Sequence, residues 1–250
     1  MLQGLHAEIQ KAKRHHDLLI CLLIPLAALL WSAYSAPDGG DDLRVGYHAL
    51  LYTFPVMNTV LMPVGMAMLA SRLWDVEVKG NTPKLLYTLQ SRRSLFAAKV
   101  LLGMAELSVI VSVEVFGIWI LGQVLGYLDT PPLVQFAYSF LCTYTVDLML
   151  FFSELLLTIL LQNPLPALCT GIAGSLIGLF SAFMPPVVGY FVPWGYFIPL
   201  TTYVLIDWDP DTRAVLYGIR EFRPLLLLWC AVLALLFFCI TWRAIREKEV

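Results

Sequence analysis

Six apolar runs divide the chain, and polar stretches separate them. A helix needs about 20 predominantly apolar residues to cross a bilayer. The runs cover residues 18–34, 47–70, 95–124, 136–161, 167–183 and 224–242. They predict six transmembrane helices. Pro25, Pro55 and Pro63 lie inside the first two. Spanning helices tolerate proline because neighbouring helices re-satisfy the freed backbone groups. Residues 1–16 are too polar to span. Leu2, Leu5, Ile9 and Ala12 recur at helical spacing, with Glu8, Lys11 and Arg14 elsewhere. That pattern predicts an amphipathic helix lying on the membrane surface. The first apolar run ends in Trp31-Ser32-Ala33-Tyr34-Ser35-Ala36, and the spacing of Ala33 and Ala36 mimics a leader-cleavage site. The later spans need a first span for the topology to close, so an uncleaved helix is expected.

Residues 184–223 fit neither class. Val187–Ile206 is apolar, but Pro193 and Pro199 interrupt it. Tyr190, Trp194, Tyr196 and Tyr203 suit a membrane interface better than a bilayer centre. An outer interfacial or re-entrant segment is expected, not a seventh span.

Basic residues orient the spans, because cytoplasmic loops carry the excess of Lys and Arg. With both termini in the cytoplasm, only Arg44, Arg213, Arg220 and Arg223 of the 16 basic residues fall outside. Asp38, Asp41, Asp42, Asp129, Asp207, Asp209, Asp211 and Glu221 also fall outside. A seventh span would carry Arg243, Arg246 and Lys248 to the wrong side. The expected architecture is all-α and polytopic, a single domain over residues 1–250 with cytoplasmic ends.

Composition agrees. The chain is 59% hydrophobic with a mean hydropathy of +0.77. It carries 14% charged residues, against about 25% in soluble domains. A net charge of -2 gives no global bias toward nucleic acid. The five cysteines lie inside apolar runs without zinc spacing, and read as small packing residues. No disulfide framework or metal site is expected. There is no G-x-x-x-x-G-K-[ST] loop, H-E-x-x-H, G-x-S-x-G or C-x-x-C. Catalytic residues are therefore not expected, and neither is ATP hydrolysis by P-loop chemistry.

Four carboxylates fall within spans: Glu106, Glu114, Asp147 and Glu154. An ionised group at the bilayer centre costs about 2.5–3.5 kcal/mol on insertion scales. No span carries a central Lys or Arg to offset this. The four suit either a relay or cation-attracting cavity, or protonated acids hydrogen-bonded to neighbouring helices. Gly174-x-x-x-Gly178, preceded by Gly171, lets helix backbones approach closely. The contact is either within the chain or with a second membrane protein.

The segment between the second and third spans, residues 71–94, is the most informative. Trp74 suits the interface, and Gly80 and Pro83 are expected to break the helix. Leu85, Leu86 and Leu89 form a short apolar stripe, and Arg92, Arg93 and Lys99 mark the return to the membrane. A short cytoplasmic amphipathic helix, or a plain connection, fits this pattern. With Trp74, Glu77, Gly80, Leu85-Leu86, Ser91-Arg92 and Lys99 in this order, and Glu8-x-x-Lys11 before the first span, the chain resembles the ABC-2 type permeases. Within them it resembles the lantibiotic-immunity permeases of Gram-positive bacteria. It departs at Leu89-Gln90, where that family often has a proline before the Ser/Arg pair.

The resemblance implies a type V exporter-like fold in the bacterial plasma membrane. It implies a dimeric ABC ATPase that binds ATP and Mg, with no cofactor on this chain. It also implies a second permease, related or identical. Trp74, Glu77, Gly80, Leu85, Leu86, Leu89, Arg92 and Arg93 would couple to the ATPase. The implied cargo is a cationic antimicrobial peptide, drawn from membrane lipid to confer immunity. A proton-coupled secondary carrier using the intramembrane carboxylates is the alternative.

Overall fold

The computed structural model describes residues 2–34, 40–79, 91–208 and 215–247. Helix α1 covers Leu2–His15 and α2 covers Asp17–Tyr34, with a break at His16, which has a φ of 56°. A 3-10 turn at Gly40–Val45 leads into α3, Gly46–Lys79. Helix α4 is Arg92–Val124, α5 is Leu133–Leu161 and α6 is Pro164–Ser181. A one-turn helix at Pro186–Gly189 and a 3-10 turn at Pro193–Gly195 follow. Strands β1, Tyr203–Trp208, and β2, Val215–Ile219, form an antiparallel hairpin with an irregularity between Leu205 and Asp207. Helix α7 is Pro224–Glu247. Among the described residues, α2 to α7 are the helices long and apolar enough to cross a membrane.

Local signals set the helix ends. Ser91 caps α4, its Oγ accepting from Ser94 N at 3.3 Å. Gly126, with a φ of 73°, ends that helix where only a residue tolerant of positive φ fits comfortably. Asn163 caps α6, accepting from Leu165 N at 3.0 Å, and Pro164 occupies the first helical position.

Much of the bundle interior is apolar. Met62, Met66, Ile110, Val146, Phe151 and Ile159 bury their side chains completely or nearly so. Leu19, Leu30, Phe180, Leu228 and Leu235 remain exposed, as expected where lipid replaces water. Helix α3 packs against α6, and Ser175 Oγ donates to Val60 O at 2.8 Å. Pro63 lies one turn further along α3, where its ring disturbs the backbone ladder. The ring of Phe96 at the start of α4 lies 5.4 Å from that of Trp242 near the end of α7, tilted by 48°. Helix α1 and the end of α7 therefore lie on the same side of the bundle.

The opposite side is closed by Tyr47, which is fully buried. Its backbone N–H donates to Asp129 Oδ2 at 2.9 Å, and its hydroxyl donates to Trp119 O at 3.1 Å. Gly46 and Gly122 leave room for the rings of Tyr127 and Tyr47. Burial pushes the Asp129 carboxyl above the ordinary carboxylate range, while the Tyr47 N–H pulls the other way.

Helix α3 runs on past the apolar run to Lys79, next to Gly80, where a break was expected. One feature departs from the sequence reading. The antiparallel hairpin was not foreseen. Its strands are short and its bulge disrupts their alternation.

Candidate coupling site and membrane-embedded polar groups

Helix α3 has 34 residues and α4 has 33, so each is about 50 Å long at 1.5 Å per residue. A hydrocarbon core is about 30 Å thick. Both helices overhang it, and a buried ionic knot ties them together on the α1 side. Lys99 is only 2% exposed. Its Nζ donates to Glu8 Oε2 at 2.8 Å and to Leu73 O at 2.6 Å. Glu8 is buried too, and its Oε1 accepts from Lys11 at 2.7 Å. Beside the knot, Arg72 Nε lies 2.8 Å from Asp17 Oδ1. Helices α1, α2, α3 and α4 are thus linked by charge-assisted contacts. A buried charge is tolerable only with such partners.

This corrects the reading of α1. Glu8 was expected on its polar face, yet it points inward, while Ile9 is 38% exposed. The cause is Lys99, a cation inside an apolar helix that requires an anion. That signal was present in the sequence. Glu8 is the only acidic residue on α1, and Lys99 lies within the third apolar run.

Of the residues expected to couple, Trp74 and Glu77 lie on α3 and Arg92 and Arg93 on α4. Trp74 is buried among α3 and α4 core residues. Glu77 belongs to the last turns of α3, and Arg92 opens α4. Arg93 is exposed. Gly80, Leu85, Leu86 and Leu89 lie outside the described residues.

The four intramembrane carboxylates occupy three different helix junctions. Glu106 on α4 faces Cys21 and Asp17 of α2, with Arg72 acting on it electrostatically. Sequence inspection offered it no basic neighbour. Arg72 supplies one from the overhang of α3. Glu114 Oε2 accepts from Asn58 Nδ2 at 3.2 Å across α4 and α3. Asp147 on α5 lies within electrostatic reach of Glu114. It is completely buried, and neither carboxyl oxygen has a hydrogen-bond partner among the described residues. Glu154 Oε2 accepts from Thr170 Oγ1 at 2.7 Å. Trp194 stands beside Glu154 without reaching hydrogen-bond geometry. Asp147 and Glu154 are seven residues apart on α5, yet one meets α4 and the other α6. Asn58 and Thr170 were not singled out from the sequence, because one polar residue in an apolar helix gives no sign of its partner.

The small residues of α6 face their own chain. A Cβ on Gly171 would lie 2.8 Å from Pro63 O, and one on Gly174 would meet the indole of Trp194. A Cβ on Gly178 would lie 2.9 Å from the backbone of Trp194 and 3.0 Å from Thr59 Cγ2. The segment after α6 therefore turns back and seats Trp194 on the middle of that helix. Tyr196, also buried, donates to Tyr190 O at 2.6 Å and accepts from Trp229 Nε1 at 3.2 Å. Among the described residues no group of His, Cys, Asp and Glu is arranged to hold a metal ion.

A family model described as ABC-2 family transporter protein matches residues 4–193. No curated protein matches the chain.

Proposed function

The chain belongs to the ABC-2 family of transporter proteins, and from that premise we propose that it exports a membrane-active, lantibiotic-type peptide and so protects the cell. It is a multi-pass membrane component of an ABC transporter, with ATP hydrolysis on a separate ATPase subunit. The finer reading assigns residues 71–94 to ATPase docking and pairs this chain with a second permease. The cargo would be a cationic peptide taken from the lipid phase. The order of Trp74, Glu77, Gly80, Leu85-Leu86, Ser91-Arg92 and Lys99 supports that assignment. Acidic residues in the expected outer loops suit a cationic cargo.

The observation that carries the coupling mechanism is the position of Lys99. It grips the end of α3, the start of α4 and helix α1 at one point. Residues 80–90 lie between α3 and α4 in the chain. A push on that connection would reach three helices as one body, without loss in a soft hinge. A proton-coupled carrier is less well supported, since its carboxylates are divided among three junctions.

The test is ATPase retention during purification, with peptide resistance of cells at matched membrane levels. Glu77→Ala, Gly80→Leu and Leu86→Asp should each release the ATPase or abolish resistance while the permease still inserts. Full resistance with the ATPase retained in all three would make residues 71–94 a plain connection.

A further inference from the structure

A groove of about 750 Å³ opens between α1, α2 and α4. That volume falls within the range of about 300–1,000 Å³ typical of ligand sites, which pair apolar walls with a few placed polar groups. The walls here are leucines, alanines, a valine and an isoleucine. The ionisable groups lining it are Lys13, His16, Cys21 and Glu106.

These groups are ordered along the groove. Lys13 and His16 are exposed at its α1 end. Glu106 stands beside Cys21, which lies five residues and about 7 Å further along the helix axis than His16. Beyond them the lining is apolar, with Leu22, Leu26 and Val109. Glu106 is 8% exposed, and its Oε2 has no hydrogen-bond partner among the described residues. Leu18, Leu19, Leu23 and Leu26 are each more than 40% exposed, so the groove opens sideways toward lipid.

We propose that this groove binds one glycerophospholipid. Its chemistry matches the sequence of features in order. A phosphate meets Lys13 and His16 at the mouth. The glycerol ester group lies a few ångström deeper, its carbonyl oxygen accepting from Glu106, which donates as the neutral carboxylic acid. An acyl chain then fills the leucine-lined remainder. A lysine and a histidine at one end and a buried polar hand before an apolar floor suit an amphiphile with its charge outermost. A cationic peptide would meet Lys13 first and be repelled. The bound lipid would brace α1 against α2 beside the Lys99 knot, since Ala12 and Leu102 border both. This proposal is independent of the cargo assigned above.

The test uses the full chain in phosphatidylcholine nanodiscs doped with phosphatidylglycerol that carries a diazirine in its acyl chain. After illumination, labelled residues are mapped by mass spectrometry. Labelling at Leu22, Leu26 and Val109 should exceed that at Leu228 and Leu235, on the exposed face of α7, at least fivefold. Ala105→Trp and Leu22→Trp each fill the groove, and should remove that excess while α7 labelling stays constant. The double substitution Lys13→Glu with His16→Glu should also weaken it at least threefold. An unlabelled diether phospholipid, which lacks ester carbonyls, should compete less well than its diester counterpart. Groove labelling no greater than that of α7, or unchanged when the groove is filled, overturns the site. Equal competition by diether and diester lipids overturns the ester contact at Glu106.

Discussion

Replacing Lys99 with Met should loosen α1 from the bundle far more than replacing Lys11. Lys99 donates hydrogen bonds to Glu8 Oε2 and to Leu73 O from a site that is 2% exposed. Hydrogen bonds involving a charged group contribute about 1.5–3 kcal/mol each. Orphaning a buried charge costs about 3–5 kcal/mol. Glu8 keeps Lys11 as a partner, so the full penalty does not apply. An intermediate cost of about 3 kcal/mol corresponds to roughly a 150-fold shift in the undocking of α1. Lys11→Met removes the other partner of Glu8, but that side chain is 32% exposed. Exposed pairs are worth about 1 kcal/mol or less, so its shift should stay under about fivefold.

The assay places a cysteine at Ala12, which packs against the core from α1. The exposed Cys169 and Cys239 are replaced by Ala, leaving only buried native thiols. Labelling by a water-soluble maleimide then reports undocking. Lys99→Met should accelerate it on the order of 100-fold, and Lys11→Met only slightly, by the two preceding estimates. A Lys99→Met rate within fivefold of the parent, or equal to that of Lys11→Met, would refute the argument that Lys99 anchors α1.

Two further outcomes follow from topology and packing. Labels at Gln3, Lys79 and Lys248 should report the cytoplasm, and labels at Gly40 and Asp209 the outside; an outside report at Lys248 would overturn the six-span orientation. Gly178→Leu should lower the thermal stability of the detergent-solubilised permease by about 1–3 kcal/mol or more, because its side chain collides with Trp194 backbone and Thr59. Gly189→Ala meets nothing within 4 Å and should leave stability unchanged in the same melting experiment.

Much of this architecture was legible in the chain itself. Apolar runs of bilayer length predict the spans one by one, because lipid forces each backbone segment to satisfy its own hydrogen bonds. Ser91, Asn163 with Pro164, and Gly126 act within one turn, so they set helix ends from local sequence alone. The absence of a P-loop was also readable, since that motif is contiguous. Other features depend on which helices become neighbours. Glu8 joins Lys99 across 91 residues, and Asn58 joins Glu114 across 56. The six-span reading correctly leaves both termini of the bundle together, but it does not reveal that α1 turns its acid inward. The glycines of α6 announced a close approach, yet only folding showed that Trp194 and α3 fill it. Hydrophobic periodicity records which residues avoid water. It does not record which buried polar group meets which, and the assembled bundle decides that, because a charge in low dielectric must find a partner wherever the chain brings one.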